Sequence, residues 1–351
     1  MEIIRRRAYA RAGLIGNPSD GYNGKTIAVL VPNYFAEVVL YEWQELEIVP
    51  SQDDQSKFSS IQNLATDVQL HGYYGGIRLV KATIKKFLEY CQGRHELHDR
   101  NFSIRYESSI PRAVGMAGSS GIIVATLRAL MDFYELEIPI AVQPSLVLSV
   151  ERQELGIQGG LQDRVVQCFG EPVYMDFSKE AMHESHGLMC GHYSPVPKDK
   201  LPPLYIAFDQ STGEPTEVFH NNLRGRFDQG EKAVVTAMAK FAELTVMGLQ
   251  AIETGNHQQL AGIIDENFNI RRSICQLPTG QIQMVEVARS VGASAKFAGS
   301  GGAIVGTYAD ERMLNQLSQQ LEAIGCKVHA HQLAKHSLNS SRFIPDCGST
   351  H

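Results

Sequence analysis

A glycine- and serine-rich turn that opens directly onto an apolar segment constrains this chain more than any other feature. It occupies residues 111–121, reads PRAVGMAGSSG, and is followed at once by IIVATL. A turn of this kind at a helix start leaves backbone N–H groups unpaired, and with the helix dipole they attract anions. Its glycines let a ligand approach the backbone, and its serine hydroxyls suit a phosphate oxygen or Mg²⁺. The turn predicts a phosphate site before a buried helix, although alone it also fits an ordinary serine-capped turn.

Length and charge limit the classes of protein to consider. The 351 residues are enough for two domains or one large one, and a net charge of −6 argues against general binding of nucleic acid or anionic membranes. There is no continuous apolar run of about 18 residues, so we expect no membrane span. The six cysteines include no CxxC pair, which is typical of a reduced, cytoplasmic protein.

Hydrophobic periodicity predicts a mixed α+β fold with a boundary near residue 197. Strands and helices alternate irregularly, and the segment SPVPKDKLPP at 194–203 can continue neither a helix nor a central strand. We therefore expect domains at 1–197 and 198–351. The predicted strands are 3–15, 26–31, 35–43, 102–109, 204–208, 303–308 and 326–330. The predicted helices are 76–91, one that follows the turn at 111–121 and runs through 133, 141–155, 230–253, 258–277 and one ending at 324.

Two further glycine-bearing segments accompany the first turn. They are ARAGLIGNPSDGYNG at 10–24 and AKFAGSGG at 295–302. In order and separation, the three segments resemble the motifs of the GHMP small-molecule kinases, which include galactokinase, homoserine kinase and mevalonate kinase. The resemblance extends from about residue 5 to about residue 335. It implies the two-domain GHMP kinase fold, with an N-terminal ribosomal-protein-S5-like domain and a C-terminal ferredoxin-like domain.

An acidic segment strengthens the resemblance. The stretch 151–163 begins with Glu151 and ends, after a glycine-containing turn, with Asp163. Galactokinase-like members have a magnesium-binding glutamate and a catalytic aspartate at this separation. One carboxylate is needed to hold Mg²⁺ against the β- and γ-phosphates of ATP, and another to face the acceptor hydroxyl.

Five local strings are similar to those of the plant-type glucuronokinases, which phosphorylate the anomeric hydroxyl of glucuronic acid. They are GNPSDGY at 16–22, GYYGG at 72–76, IPRAVGMAGSSG at 110–121, GLQDRV at 160–165 and NFNIRRS at 267–273. One departure is Gly121, where that group usually has alanine. The likeness implies an ATP-dependent, Mg²⁺-requiring sugar-1-kinase acting on a uronic acid.

The resemblance also implies roles for individual residues. Asp163 would accept or orient the sugar hydroxyl, and Arg11 would stabilise charge on the transferred phosphoryl group. The phosphate-binding residues would be Gly115, Ala117, Gly118, Ser119, Ser120 and Gly121, and the Mg²⁺ ligands would be Ser119, Ser120 and Glu151. The substrate-binding residues would be Asp20, Gly21, Tyr22, Tyr73, Tyr74, Arg112 and Arg271. A uronate carboxylate needs a cationic partner, and the candidates are Arg112, Arg164, Arg271 and Arg272.

Other functions remain open from the residues alone. A GHMP kinase could act on a neutral or amino sugar, because a few side chains decide the acceptor. An inactive relative could serve to sense a sugar or a nucleotide. Small-molecule partners are therefore expected, while the sequence leaves the oligomeric state open.

Overall fold

The computed structural model describes residues 2–51, 75–209 and 223–331. Two antiparallel-rich sheets and the helices packed on them confirm the α+β class. The larger sheet contains β1 (Ile3–Ile15), β2 (Lys25–Trp43), β3 (Glu47–Val49), β4 (Asn101–Ser108), β5 (Val173–Asp176) and β8 (His192–Pro195). A hairpin forms from β6 (His183–Ser185) and β7 (Leu188–Cys190), and the smaller sheet from β9 (Leu204–Phe208), β10 (Lys296–Phe297), β11 (Ala303–Thr307) and β12 (Lys327–Ala330).

The α-helices agree well with the predicted ones. They are α1 (Gly76–Cys91), α2 (Gly118–Phe133), α3 (Gln143–Ser149), α4 (Gln162–Phe169), α5 (Lys232–Glu253), α6 (His257–Ile274), α7 (Thr279–Ser290) and α8 (Glu311–Glu322). Two helices, α4 and α7, are not predicted from the sequence. The predicted helix at 141–155 also differs, since after α3 it changes to a π-helical turn at Val150–Glu154. Such a turn widens the backbone and is frequent at functional sites.

Strand β2 is longer than expected. The sequence suggests a break at Pro32 and Asn33, but the strand continues through them and pairs with β1, β4 and β5. The register of the pairing with β1 shifts at this point, since Tyr9 lies opposite Phe35 while Ala10 lies opposite Val31. A bulge of this kind leaves Pro32 outside the β1 ladder, so its missing N–H breaks no hydrogen bond in that ladder.

Helix α2 lies in the interior, as its apolar sequence predicts. Ile123, Val124 and Leu130 have no exposed surface, and the helix packs against β1, β2 and α1. Burial on all sides fixes the helix axis and therefore the position of its N-terminus. The glycine-rich turn at that end is held in place by the core.

The proposed domain boundary separates the two sheets but not their cores. The larger sheet takes its strands from residues before 197, and the smaller sheet from residues after it. One hydrophobic cluster nevertheless joins Leu14 and Val124 to Ile206 and Ile252. The division at 197 stays a prediction, and the shared core brings the two halves together around the site described below.

Helix α5 is long and apolar enough, by length and composition, to cross a membrane. In the fold, one of its sides packs against β1, β2 and α6. Phe241 is fully buried, and Gly248 lies so close to Ile15 that an added Cβ would meet its Cδ1 at 2.2 Å. Core packing therefore accounts for the buried side of this helix, while Val235, Val246 and Met247 are exposed.

Candidate active site

An arginine near the end of β1 joins all the glycine-bearing segments. Arg11 is 5% exposed, and its Nε donates to Oδ1 of Asp163 at 2.6 Å. Its Nη1 donates to the carbonyl oxygens of Gly115 at 2.8 Å and Ala298 at 3.0 Å. The first segment, the acidic turn, the phosphate turn and the last glycine segment therefore meet at one guanidinium group.

Asp163 lies in the first turn of α4, where a negative charge is favoured by the helix dipole. Burial would raise its pKa, but the charges of Arg11 and Arg164 and hydrogen bonds from Arg11 and Gln162 lower the pKa to about 2. Arg164 Nη1 lies 3.5 Å from its Oδ2. Asp163 is therefore a carboxylate at every physiological pH.

The Asp20 carboxylate lies close to Asp163, but its pKa is shifted in the opposite direction. It belongs to the short 3₁₀ helix Ser19–Tyr22, and Gly160 packs so closely that an added Cβ would lie 2.0 Å from its Oδ2. Burial, and then the charge of Asp163, raise the pKa of Asp20 to about 6 against the opposing effects of Arg11 and Arg164. Two carboxylates with widely separated pKa values share this pocket, which is typical of catalytic sites.

Glu151 sits in the π-helical turn and is 1% exposed. Its Oε2 accepts hydrogen bonds from Arg164 through Nε, at 2.6 Å, and through Nη2. All its hydrogen bonds in the described part of the chain go to Oε2, which leaves Oε1 for another cation. Arg164 thus connects Glu151 to Asp163 in one buried network.

The phosphate turn has an unusual backbone. Ala113, Gly115 and Ala117 all have positive φ, at 58°, 69° and 65°. Alanine rarely adopts this conformation, so the surrounding contacts must hold it. Gln167 Nε2 donates to the Ala117 carbonyl at 3.0 Å, and the Arg11 N–H donates to the Met116 carbonyl at 3.2 Å. These contacts fix the turn at the N-terminus of α2, where an anion would bind.

The two serines of the turn differ in orientation. Ser119 is partly exposed at the helix start. Ser120 is 2% exposed, and its hydroxyl donates to the Ala117 carbonyl at 3.3 Å. The Ser120 hydroxyl therefore points into the protein, which does not match the expected metal-ligand role; its backbone N–H and those of Gly118 and Gly121 remain part of the turn.

The last glycine segment packs on the phosphate turn. A Cβ on Gly299 would lie 2.2 Å from the Gly115 carbonyl oxygen, and the Gly13 N–H donates to the Ala298 carbonyl at 2.7 Å. Arg271, on α6, holds the last glycine segment through its guanidinium group. Its Nη1 and Nη2 donate to the carbonyl oxygens of Gly299 and Ser300 at 2.6 and 2.9 Å.

Several expected substrate-binding residues lie elsewhere or are engaged. Arg271 is 5% exposed and donates to the last glycine segment, so it supports that loop, and its expected contact with substrate stays a prediction. Arg112 is exposed on the turn before the phosphate loop. Tyr22 is 6% exposed and packs edge-on against Phe227. Tyr73 and Tyr74 lie outside the described residues.

Some residues at the site are missed by the sequence interpretation. Gln162 is 3% exposed, and its hydrogen bonds help to lower the pKa values of both Asp20 and Asp163. Its place directly before Asp163 in GLQDRV is the signal that could have found it. Lys296 is 1% exposed and donates to the carbonyl oxygens of Gly13, at 2.5 Å, and Phe297, at 2.8 Å. No sequence pattern predicts that link.

An anion-binding helix start that faces a buried arginine–aspartate pair and a second carboxylate is the arrangement of a small-molecule kinase. The family model described as "GHMP kinases N terminal domain" matches residues 78–171. The chain is 39% identical to Glucuronokinase 1 of Arabidopsis thaliana over 349 residues, covering 96% of this chain and 94% of the relative. It is 40% identical to Probable glucuronokinase 2 of the same plant, covering 86% and 84%.

A solved structure shows the same fold. Galactokinase of Lactococcus lactis, complexed with galactose, superimposes with a TM-score of 0.72 at 14% identity, covering 95% of this chain and 94% of that one. The chain therefore belongs to the GHMP kinase family. This confirms the resemblance that the three glycine-bearing segments indicate, together with the two-domain α+β fold it implies.

Proposed function

We propose that this protein transfers the γ-phosphoryl group of ATP to the anomeric hydroxyl of glucuronate, giving glucuronate 1-phosphate and ADP. The observation that carries the phosphotransfer is the Arg11–Asp163 pair, joined at 2.6 Å and set against the phosphate turn. The choice of glucuronate is supported by about 40% identity to the plant glucuronokinases along most of the chain.

The phosphate turn would hold the β- and γ-phosphates of ATP. GHMP kinases use ATP as co-substrate, and the backbone N–H groups from Gly115 to Gly121 at the start of α2 supply the donors. Arg11 would contact the transferred phosphoryl group and stabilise its developing charge. Its Nη1 binds the Gly115 carbonyl oxygen, which places the guanidinium beside the phosphate turn.

The two aspartates would bind the acceptor. Asp163, with a pKa of about 2, is a weak base, so we assign it the role of orienting the hydroxyl and receiving its proton late in the transfer. In a loose phosphoryl-transfer transition state, alignment and electrostatic stabilisation provide most of the rate. Asp20 would accept hydrogen bonds from neighbouring sugar hydroxyls.

Two side chains near the phosphate turn carry oxygen atoms of the kind that binds Mg²⁺. Glu151 offers Oε1, and Ser119 offers a hydroxyl at the start of α2; both are hard oxygen donors of the type that Mg²⁺ prefers together with phosphate oxygens. When bound, the ion would neutralise charge on the β- and γ-phosphates. Within the chain, Arg164 holds Glu151 in position for this contact.

Changing Glu151 to Gln tests the metal assignment. We expect the Mg²⁺ concentration for half-maximal velocity to rise by roughly ten-fold, because one anionic ligand is lost. The measurement is a Mg²⁺ titration at saturating ATP and sugar, with Glu180→Gln, an exposed residue after β5, as the matched control. An unchanged Mg²⁺ dependence removes Glu151 from the metal site.

The function is tested by an ATP-to-ADP coupled assay with Mg²⁺ and a panel of free sugars. Glucuronate, galacturonate, glucose, galactose and N-acetylhexosamines belong in the panel, and phosphorus NMR locates the new phosphate. Selective turnover of glucuronate to an anomeric phosphate is the expected result. Turnover of a neutral or amino sugar alone rejects the uronate, and ATP binding without any turnover favours a sensing role.

The cellular compartment is also a proposal. The five described cysteines are free thiols, which supports a reducing compartment such as the cytoplasm. Small-molecule substrates are the only partners that the site requires.

A further inference from the structure

Two arginines to which the sequence analysis gives no role lie near the proposed acceptor site. Arg152 follows Glu151 in the π-helical turn, and Arg224 lies in a helical segment at 223–228. Both side chains are exposed and accessible to a ligand. Arg152 precedes residue 197 in the chain, and Arg224 follows it.

Both guanidinium groups are tied to backbone that touches Asp20. Arg224 donates through Nη2 to the carbonyl oxygen of Gly21, the residue after Asp20, and its Cζ lies 4.4 Å from the centre of the Tyr22 ring. Arg152 donates through Nη2 to the carbonyl oxygen of Gly159 at 2.5 Å. The next residue, Gly160, is the one packed against the Asp20 carboxylate.

Neither of these two arginines has a carboxylate within 3.5 Å in the described part of the chain. Arg152 has no ion pair in the described part of the chain, and Arg224 has only Asp228, at 3.7 Å. Burial and the nearby charges of Arg164 and Arg224 lower the pKa of Arg152, which Asp20 offsets only in part. An anion placed between the two arginines would relieve this repulsion.

The four arginines that the sequence suggests for the carboxylate, Arg112 included, all have other partners. Arg164 is bound to Glu151, Arg271 to the last glycine segment, and Arg272 to Glu286 at 3.0 Å. Arg11 is committed to Asp163. Arg152 and Arg224 are therefore the arginines at the acceptor pocket whose planar, multi-donor groups are directed toward solvent rather than toward a close carboxylate.

We propose that Arg152 and Arg224 bind the carboxylate of the sugar acid and select it over neutral sugars. A carboxylate accepts parallel hydrogen bonds from guanidinium groups, and the bonds to Gly21 and Gly159 hold the two groups at the pocket edge. Asp20, which precedes Gly21 and packs against Gly160, would bind the hydroxyls of the same sugar. This inference rests on the proposed function, because it concerns the acceptor of that reaction.

The test compares glucuronate with glucuronamide, its neutral analogue of nearly the same shape. Wild-type protein and the variants Arg152→Ala, Arg224→Ala, Arg152→Lys and Arg224→Lys are assayed for kcat and KM with each sugar and with ATP. The matched control is Arg312→Ala, which removes an exposed arginine from α8. Thermal unfolding of each variant checks that it folds.

We expect wild type to prefer glucuronate, and each alanine variant to lose about ten- to a hundred-fold of that preference, the effect of a lost charge-assisted contact. The loss should appear as a higher KM for glucuronate with an unchanged KM for ATP, and the lysine variants should lie between. Arg312→Ala should match wild type.

Two contrary outcomes have different meanings. Equal losses for glucuronate and glucuronamide, or a change in the KM for ATP alone, overturn the assignment and indicate a structural role or a contact with the nucleotide phosphates. If wild type does not phosphorylate glucuronate at all, the proposed function fails and the inference fails with it. If the alanine variants do not fold, the lysine variants test the assignment through the same comparison, the preference for glucuronate over glucuronamide in kcat/KM.

Discussion

Asp20 and Asp163 show how neighbouring residues of one type acquire different chemistry. Asp163 is held by the ion pair with Arg11 and by Arg164, and its pKa is lowered to about 2. Asp20 is buried beside Gly160 without an ion pair to either arginine within the described salt bridges, and its pKa is raised to about 6. The direction of each shift follows from which partner is within reach.

Replacing Asp163 with Asn should lower kcat by about 100- to 10,000-fold, because the carboxylate that orients the acceptor and takes its proton is lost. Steady-state kinetics with saturating ATP and sugar measure this. Asp199→Asn, an exposed carboxylate in the short 3₁₀ helix Lys198–Lys200, is the matched control. A kcat for the Asp163 variant within a few-fold of wild type would show that this residue does not act on the acceptor.

Replacing Asp20 with Asn should remove an acid limb from the pH profile. In wild type we expect kcat/KM for the sugar to fall below about pH 6, since Asp20 becomes protonated there and can no longer accept two hydroxyl hydrogen bonds. The variant should have a low kcat/KM that does not vary through this range. A limb that persists with the same midpoint assigns it to another group.

The same Asp20 substitution should stabilise the protein without ligand. A raised pKa means that ionised Asp20 disfavours the folded state above about pH 6, and that this cost disappears as the pH falls toward the unfolded value of 3.8. The variant should therefore gain on the order of 1–3 kcal/mol at pH 7–8 and almost nothing near pH 4. Urea unfolding at both pH values checks this; equal gains at both would contradict the electrostatic cause.

At the scale of elements, the phosphate turn and the last glycine segment act as one unit. Gly299 approaches the Gly115 carbonyl too closely for any side chain, and a Cβ there would also meet Arg11 Nη1 at 2.9 Å. Backbone on one side and a buried guanidinium on the other leave no space for relaxation. The two loops can pack only with glycine at this position.

Replacing Gly299 with Ala should separate the loops and displace Arg11. We expect kcat/KM to fall by at least about ten-fold, since small misplacements of catalytic groups have large kinetic effects. Gly262→Ala, in the middle of α6 where an added Cβ meets nothing within 4 Å, is the control and should keep full activity with slightly higher stability. Equal activity of both variants would mean that the contact is not required.

On the scale of the whole molecule, Lys296 connects the two halves of the site. Its ammonium group, buried in the smaller sheet, donates to Gly13 and Asn17 of the first glycine-bearing segment. No carboxylate accompanies it among the described ion pairs, and burial lowers its pKa well below the ordinary value. The lysine serves as a hydrogen-bonding bridge to neutral oxygen atoms.

Replacing Lys296 with Met should weaken this bridge. The acceptors at Gly13 and Asn17 would stay buried without their donor, which costs about 1–3 kcal/mol, while removal of the desolvated charge offsets part of that cost. We expect a lower unfolding temperature together with a reduced kcat, because Gly13 also binds Ala298 beside Arg11. Lys240→Met, on the exposed side of α5, is the control; unchanged stability and activity in the Lys296 variant would contradict the bridging role.

The sequence by itself determined the elements that carry the chemistry. Local periodicity predicts α1 and β9 to the residue, and the glycine-bearing segments with Asp163 and Arg11 indicate the family and the phosphate site, because these properties depend on residues close together in the chain. Only the tertiary structure decided which arginines can bind the carboxylate of the sugar acid. Burial commits Arg164 and Arg271, and folding brings Arg152 and Arg224 to Asp20, because side-chain partners far apart in the sequence depend on how the elements pack.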